Sequence, residues 1–229
     1  MSQARQHLVI DGDDTLWENN IFFEEAAEAF IDFLDHSTLS REEVRAVLDE
    51  VERRNLAIHG YGSAAFGRNL QETFRRLAER EVVDAELEHL ASLGRQVVSQ
   101  PVQLLPGVEE TLRSLASRHD LTLFTKGERE EQRLKVDRSG LVGYFDRVVI
   151  TPEKDEAAYR SLVADHSLEP NATWMVGNSP RSDINPPLEV GLRAVFIPHP
   201  RTWSLEVVEL ASSERLLVLE RFPQLLDHF

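Results

Sequence analysis

The chain contains no cysteine, which excludes disulfides, thiolate metal sites and a thiol nucleophile together. Positive charge is also scarce: 25 Lys and Arg stand against 40 Asp and Glu, for a formal charge of -15 at pH 7. Such a surface repels nucleic-acid phosphates and anionic lipid heads, so neither a nucleic acid nor a membrane is an expected partner. A small anion can still bind in a local basic pocket. The start, Met1 to Asp14, is a short polar lead into an apolar triplet and lacks the long apolar stretch of a signal peptide or a membrane span, so a cytoplasmic protein is expected. What is present is an ordinary globular composition of 229 residues, 41% hydrophobic and 28% charged, which is enough to bury a sizeable core.

Five short apolar runs stand out: Leu8 to Ile10, Leu121 to Phe124, Val148 to Ile150, Trp174 to Val176 and Ala194 to Ile197. They show no strict polar alternation, as expected of strands covered on both faces of a parallel sheet. Helical stripes lie between the later runs, such as Val108, Leu112 and Leu115 after Pro106-Gly107, and Tyr159, Leu162 and Val163. Alternating strands and helices predict a doubly wound α/β sheet with ligands gathered at the carboxyl ends of its strands. Leu216 to Leu219 is a candidate edge strand, followed by a short amphipathic end from Pro223 to Phe229.

The gap between the first two runs is too long for one crossover and carries helical periodicity throughout. Phe23, Ala26, Ala27, Phe30 and Leu34 line one stripe; Val44, Val47, Leu48 and Val51 line another behind a Ser40-x-x-Glu43 capping box. Phe66, Leu70, Phe74 and Leu77 make a third, and Leu87, Leu90, Ala91 and Val98 a fourth, with Asp84 as its expected cap. The predicted organisation is an α/β core over residues 1–17 and 101–229, with an all-helical module inserted over residues 18–100. Gly60-Tyr61-Gly62-Ser63-Ala64-Ala65 fits the loose dinucleotide pattern, but it follows an amphipathic helix and not a strand, so it reads as a turn between helices.

The chemistry-bearing residues fall at the strand ends. The first strand runs into Asp11-Gly12-Asp13-Asp14-Thr15, a carboxylate cluster that is costly to bury without a cation, and oxygen donors favour magnesium. A bland alternative is an acidic turn. A calcium loop starting at Asp11 fails, because Leu16 stands where its glycine belongs and Phe22 where its bidentate Glu belongs. The second strand ends in Thr125-Lys126-Gly127, which offers a hydroxyl, a cation and turn N–H groups to a phosphate oxygen. Lys154 follows the third strand, placed to neutralise a dianion. The fourth leads into Gly177-Asn178-Ser179-Pro180-Arg181-Ser182-Asp183.

In the order and spacing of these four motifs the sequence resembles the haloacid dehalogenase superfamily of phosphohydrolases, and its helical insert resembles that family's C1 cap. The resemblance implies a Rossmann-like core with an inserted cap domain, and a magnesium-dependent phosphatase acting on a small phosphate ester. It implies Asp11 as nucleophile and Asp13 as general acid and base. Thr125 would hold a phosphate oxygen, aided by Gly12, Lys126 and Gly127. Lys154 would pair with the phosphate and Asp11, while Asp11, Asp13, Asp183 and Asn178 would surround the ion. The family commonly has Asp where this chain has Asn178, which implies a weaker or shifted metal preference. Dehalogenases of this fold lack the second carboxylate, so Asp13 argues against carbon–halogen cleavage. Phosphonatases need a cap lysine, and residues 18–100 contain none. A phosphomutase would keep the same residues, and a catalytically silent relative would have no need to retain them. The Arg201-Thr202-Trp203 loop is a further candidate for the rim of the site.

Overall fold

The structure, a computed structural model, describes residues 5–229. It divides into two compact units, Met1–Asn20 with Val102–Phe229, and Ile21–Pro101. Among the described residues no helix is long and apolar enough to cross a membrane.

In the first unit, six strands form one sheet: β1 (His7–Ile10), β2 (Asp120–Lys126), β3 (Arg147–Thr151), β4 (Thr173–Gly177), β5 (Arg193–Phe196) and β6 (Leu216–Val218). Their order is β3-β2-β1-β4-β5-β6, and every neighbouring pair is parallel. The expected doubly wound α/β sheet is therefore present, with Leu216–Val218 as its edge. Helices α5 (Val108–Ala116), α6 (Arg129–Ser139), α7 (Glu156–His166) and α8 (Asn185–Glu189) connect the strands. Leu8 and Ile10 enter one apolar cluster with Val108, Leu112 and Leu115, while Val9 enters another with Phe124, Tyr159, Leu162 and Met175. Both faces of β1 are thus dry, which is why its sequence carries no polar alternation. From β1 the chain winds outward through β2 and β3, then returns to the other side of β1 for β4. The carboxyl end of β1 is the switch point at which such sheets leave a crevice.

Helix α6 gave little signal as an apolar stripe because Gln132 and Val136 are its buried residues. Residues 18–20 go with the first unit: the Glu18 N–H donates to Gln103 O at 2.9 Å, and Asn20 Nδ2 donates to Arg201 O at 2.8 Å.

The second unit is all helical, formed by α1 (Asn20–Leu34), α2 (Arg41–His59), α3 (Ser63–Leu77) and α4 (Asp84–Ser99) around Ala27, Phe30, Leu48, Phe66, Leu70, Phe74 and Leu90. The Ser40–Glu43 capping box opens α2 as expected. Asp84 is not the cap of α4: Val83 holds that position, and its N–H is satisfied by the Glu86 carboxylate at 3.1 Å, leaving Asp84 in the first turn, where its charge suits the helix dipole. Gly60 and Gly62 take φ of 65° and 105° between α2 and α3, so this stretch is a helix–helix turn. Helices α3 and α4 meet backbone to backbone, since a Cβ on Gly94 would lie 2.6 Å from Ser63 O and 2.7 Å from Gly67 Cα. We expect Gly94→Ala to cost about 1–3 kcal/mol through overpacking. The check is the urea midpoint of the full chain, and an unchanged midpoint would show that the helices can separate without cost.

Candidate functional site

The Asp11 N–H donates to Val176 O at 2.9 Å, so the last rung of the β1–β4 ladder fixes the backbone that carries the Asp11 carboxylate. That carboxylate is buried. Its Oδ1 accepts from Lys154 Nζ at 2.5 Å, and the same ammonium donates to Asp183 Oδ1 at 2.8 Å. Lys154 and Asp183 are only 2% and 1% exposed, so the three charges interact with little screening by water. The Thr15 hydroxyl lies 3.1 Å from Asp11 Oδ2 and 3.2 Å from Asn178 Oδ1, with one proton to share between them. Asn178 Nδ2 donates to Thr202 Oγ1 at 3.0 Å. Asp183 arrives from the turn Pro180–Ile184, and its Oδ2 accepts from the Ser179 N–H at 3.0 Å. Any side chain at Gly177 would overlap the Asp183 carboxylate, which accounts for the glycine.

Two carboxylates and one ammonium leave this buried cluster with a surplus negative charge. Burial, and then the neighbouring Asp183, push the Asp11 carboxyl up to about 7, against the pull of Lys154. Burial disfavours the Lys154 cation, but the two carboxylates outweigh it and raise its pKa.

Asp13 is placed differently. Its Oδ1 accepts from Trp17 Nε1 at 2.7 Å, its Oδ2 from Gln132 Nε2 at 2.9 Å, and Lys135 Nζ reaches both oxygens at 2.7 and 2.5 Å. Burial alone would raise the Asp13 carboxyl, but Lys135, Gln132 and Trp17 together hold it below its usual value. The Trp17 ring also covers Gly12, where a Cβ would sit 2.6 Å from Cζ2, so the loop closes only with glycine at that position. The N–H groups of Gly12 and Asp13 donate to no acceptor among the described residues. Thr125 is 1% exposed and points its hydroxyl at Gln132 Oε1, 3.1 Å away.

The next two predicted residues are already committed. Lys126 Nζ lies 2.6 Å from Glu206 Oε1, 2.7 Å from Ser182 Oγ and 3.4 Å from Glu153. The Gly127 N–H donates to Thr151 O at 3.0 Å. Both therefore tie β2 to its surroundings and do not present free donors to an anion. The Arg201-Thr202-Trp203 loop supplies Thr202 to Asn178 and the Arg201 carbonyl to Asn20.

A model of the haloacid dehalogenase-like hydrolase family matches residues 33–197. The chain belongs to that family. A haloacid dehalogenase-like family hydrolase from Xanthomonas campestris is 31% identical, with a TM-score of 0.79 over 93% of this chain and 87% of that one. Pyrimidine 5'-nucleotidase YjjG of Escherichia coli is 28% identical over 99 residues, 41% of this chain and 44% of that protein. Human N-acylneuraminate-9-phosphatase is 26% identical over 168 residues, 67% of this chain and 66% of that protein. The chain thus spans less than two thirds of the length of these two curated relatives.

In this family member, sequence reasoning missed Thr15, Trp17, Gln132, Lys135 and Glu206 as site residues. Gln132 and Lys135 carried a usable signal: they sit three apart on the helix that follows the Thr125 strand, so they share one face. Glu206 carried none, because it reaches Ser179, Ser182 and Lys126 from a single 3-10 turn, Ser204–Glu206, with no motif around it.

Asp14, Glu18 and His199 form a second group whose ligand atoms lie within 4.8 Å of one another. Asp14, at a φ of 58°, already accepts from the N–H groups of Asn19 at 2.8 Å and Asn20 at 3.1 Å, so it staples the loop that leads into α1. Burial and the charge of Asp13 raise its carboxyl to about 7. The folded chain therefore holds a proton on Asp14 between about pH 4 and 7 that the unfolded chain releases, and this share of stability falls as pH rises across that window. We expect Asp14→Asn to flatten the decline by a few kcal/mol in metal-free protein, at about 1.4 kcal/mol per pH unit. Urea midpoints at pH 4.5 and 8 measure it; parallel pH profiles for the two proteins would contradict the assignment.

Proposed function

We propose that this hydrolase is a magnesium-dependent phosphomonoesterase that releases phosphate from a small phosphorylated metabolite through a transient phosphoanhydride on Asp11. The observation that carries this reading is the buried Asp11 carboxylate, joined to Asp183 by Lys154 and flanked by the idle N–H groups of Gly12 and Asp13. The nucleotidase and phosphatase activities of the curated relatives support the same choice.

The donor set fits a hard cation. Asp11, Asp183 and the Asn178 amide offer oxygens, each carboxylate oxygen retains acceptor capacity beyond the bond it makes, and the cluster carries surplus negative charge. When bound, magnesium supplies positive charge that offsets the repulsion between Asp11 and a phosphate dianion.

This chain's own groups do the rest. Lys154 neutralises a second share of that repulsion, and the Gly12 and Asp13 N–H groups donate to the equatorial phosphate oxygens, joined by the Thr125 hydroxyl once it turns from Gln132. An Asp11 oxygen attacks phosphorus, and the ester oxygen departs with a proton from Asp13, which is held ionised beside Lys135, Gln132 and Trp17 and so takes that proton from solvent before it donates it. Asp13 then takes a proton from the water that attacks the acyl phosphate, which returns Asp11 and releases inorganic phosphate. A halide leaving group needs no proton, so a carboxylate held by three side chains in this place suits an oxygen leaving group. Lys126 and Gly127 act in this scheme as builders of the turn.

Two outcomes are expected. In a phosphometabolite panel read by phosphate release, Asp11→Asn lowers kcat/KM by at least ~10^4-fold, as loss of a covalent nucleophile does. A chelator abolishes turnover of the wild type and added magnesium restores it. Equal rates for Asp11→Asn and wild type would defeat the proposal.

A further inference from the structure

Asp13 is bound on both oxygens by groups that the reaction scheme does not use. Lys135 reaches both oxygens, Gln132 and Trp17 take one each, and Lys135 Nζ is itself anchored by Asn19 Oδ1 at 3.0 Å. Gln132 is buried at 5% exposure, unusual for a helix-surface amide and costly unless both its ends are satisfied. A carboxylate facing Gln132 can only accept, so the amide nitrogen must lie toward Asp13. The amide oxygen then faces Thr125, and the hydroxyl proton of Thr125 must point at it. One side chain thus fixes the direction of every hydrogen bond from Thr125 to Asp13.

We propose that Gln132 and Lys135 are positioning residues: Lys135 holds the Asp13 carboxylate in place for proton transfer, and Gln132 links that placement to the Thr125 hydroxyl. An anion that draws the Thr125 proton away removes the donor from Gln132 Oε1 and loosens the amide that binds Asp13. Arrival of the phosphoryl group is coupled in this way to a weaker hold on one Asp13 oxygen, while Lys135 and Trp17 keep their contacts. Lys135 and Gln132 share one face of α6, so a single rigid helix carries both contacts.

The inference rests on the phosphatase reading, and it is tested by the demand of the leaving group for a proton. A nitrophenolate departs without protonation, whereas an alkoxide does not. Wild type, Asp13→Asn, Lys135→Met, Lys135→Arg and Gln132→Met are compared on 4-nitrophenyl phosphate and on a simple alkyl phosphate, with magnesium and with urea midpoints to confirm folding. Asp13→Asn should lose at least ~10^2-fold more on the alkyl ester than on the aryl ester. Lys135→Met and Gln132→Met should show the same bias, about 10-fold or more, in kcat with little change in KM for Lys135→Met. Lys135→Arg should recover most of the loss, and Lys135→Met should add no alkyl-specific loss to Asp13→Asn. If Asp13→Asn behaves as expected while Lys135→Met and Gln132→Met lose equally on both esters, or lose nothing, the positioning role is overturned and the phosphatase reading stands. A wild type that hydrolyses neither ester overturns both.

Discussion

The organisation of the core follows from one buried ion triplet, in which the Lys154 ammonium stands between Asp11 and Asp183. Burying three charges is expensive, and removing the lysine would leave two uncompensated carboxylates in a region that water does not reach. The triplet persists because its members come from three different strand ends that a parallel sheet places on the same side. Asp11 follows β1, Lys154 follows β3, and Asp183 lies in the turn after β4. An antiparallel pairing of any of these strands would send one member to the opposite edge.

Close packing then dictates what stands next to the triplet. Gly12 lies under the Trp17 ring and Gly177 under the Asp183 carboxylate, so both glycines answer to a neighbour's volume. The same Trp17 that occludes Gly12 donates to Asp13, and Thr15 on the same loop shares its proton between Asp11 and Asn178. The short segment after β1 therefore works as a unit. Trp17 covers one residue and orients another, and Thr15 ties Asp11 to Asn178, which agrees with the low tolerance that such networks have for partial satisfaction.

Much of this was legible in the sequence, for identifiable reasons. Strands buried on both faces are short apolar runs, and the part-buried edge strands, Arg147–Thr151 and Leu216–Val218, lie on such runs too. Helical stripes such as Phe30 and Leu34, or Leu70 and Phe74, mark elements that bury one face. Carboxylates at a strand tip are visible because their cost has to be met by a partner, and so Asp11, Lys154 and Asp183 could be named before their contacts were known. What escaped was the direction in which polar side chains point. Lys126 ends one strand and Lys154 follows the next, yet one is bound by Glu206 and the other by Asp11. Two of the three hydrogen-bond partners of Asp13, Gln132 and Lys135, lie far along the chain on a helix whose apolar pattern is weak. The cap of α4 escaped for a related reason: Glu86 satisfies the end of that helix from within, so no polar residue is needed at Val83.

Asn178 shows how finely the charge of the triplet is set. An aspartate there would add a second surplus negative charge beside Asp11 and Asp183, with Lys154 as the cation already shared between those two. The amide avoids this while keeping an oxygen directed at Thr15, and its nitrogen gains Thr202, a bond that an aspartate could keep only by reversing the donor. Less negative charge means weaker attraction for a divalent ion, and also less repulsion toward an incoming dianion. In the proposed reaction both consequences act on the same step, because a phosphate ester would approach Asp11 only when positive charge outweighs negative charge around it. In that reaction the amide would leave more of the neutralisation to the buried lysine, whose ammonium is already held between Asp11 and Asp183.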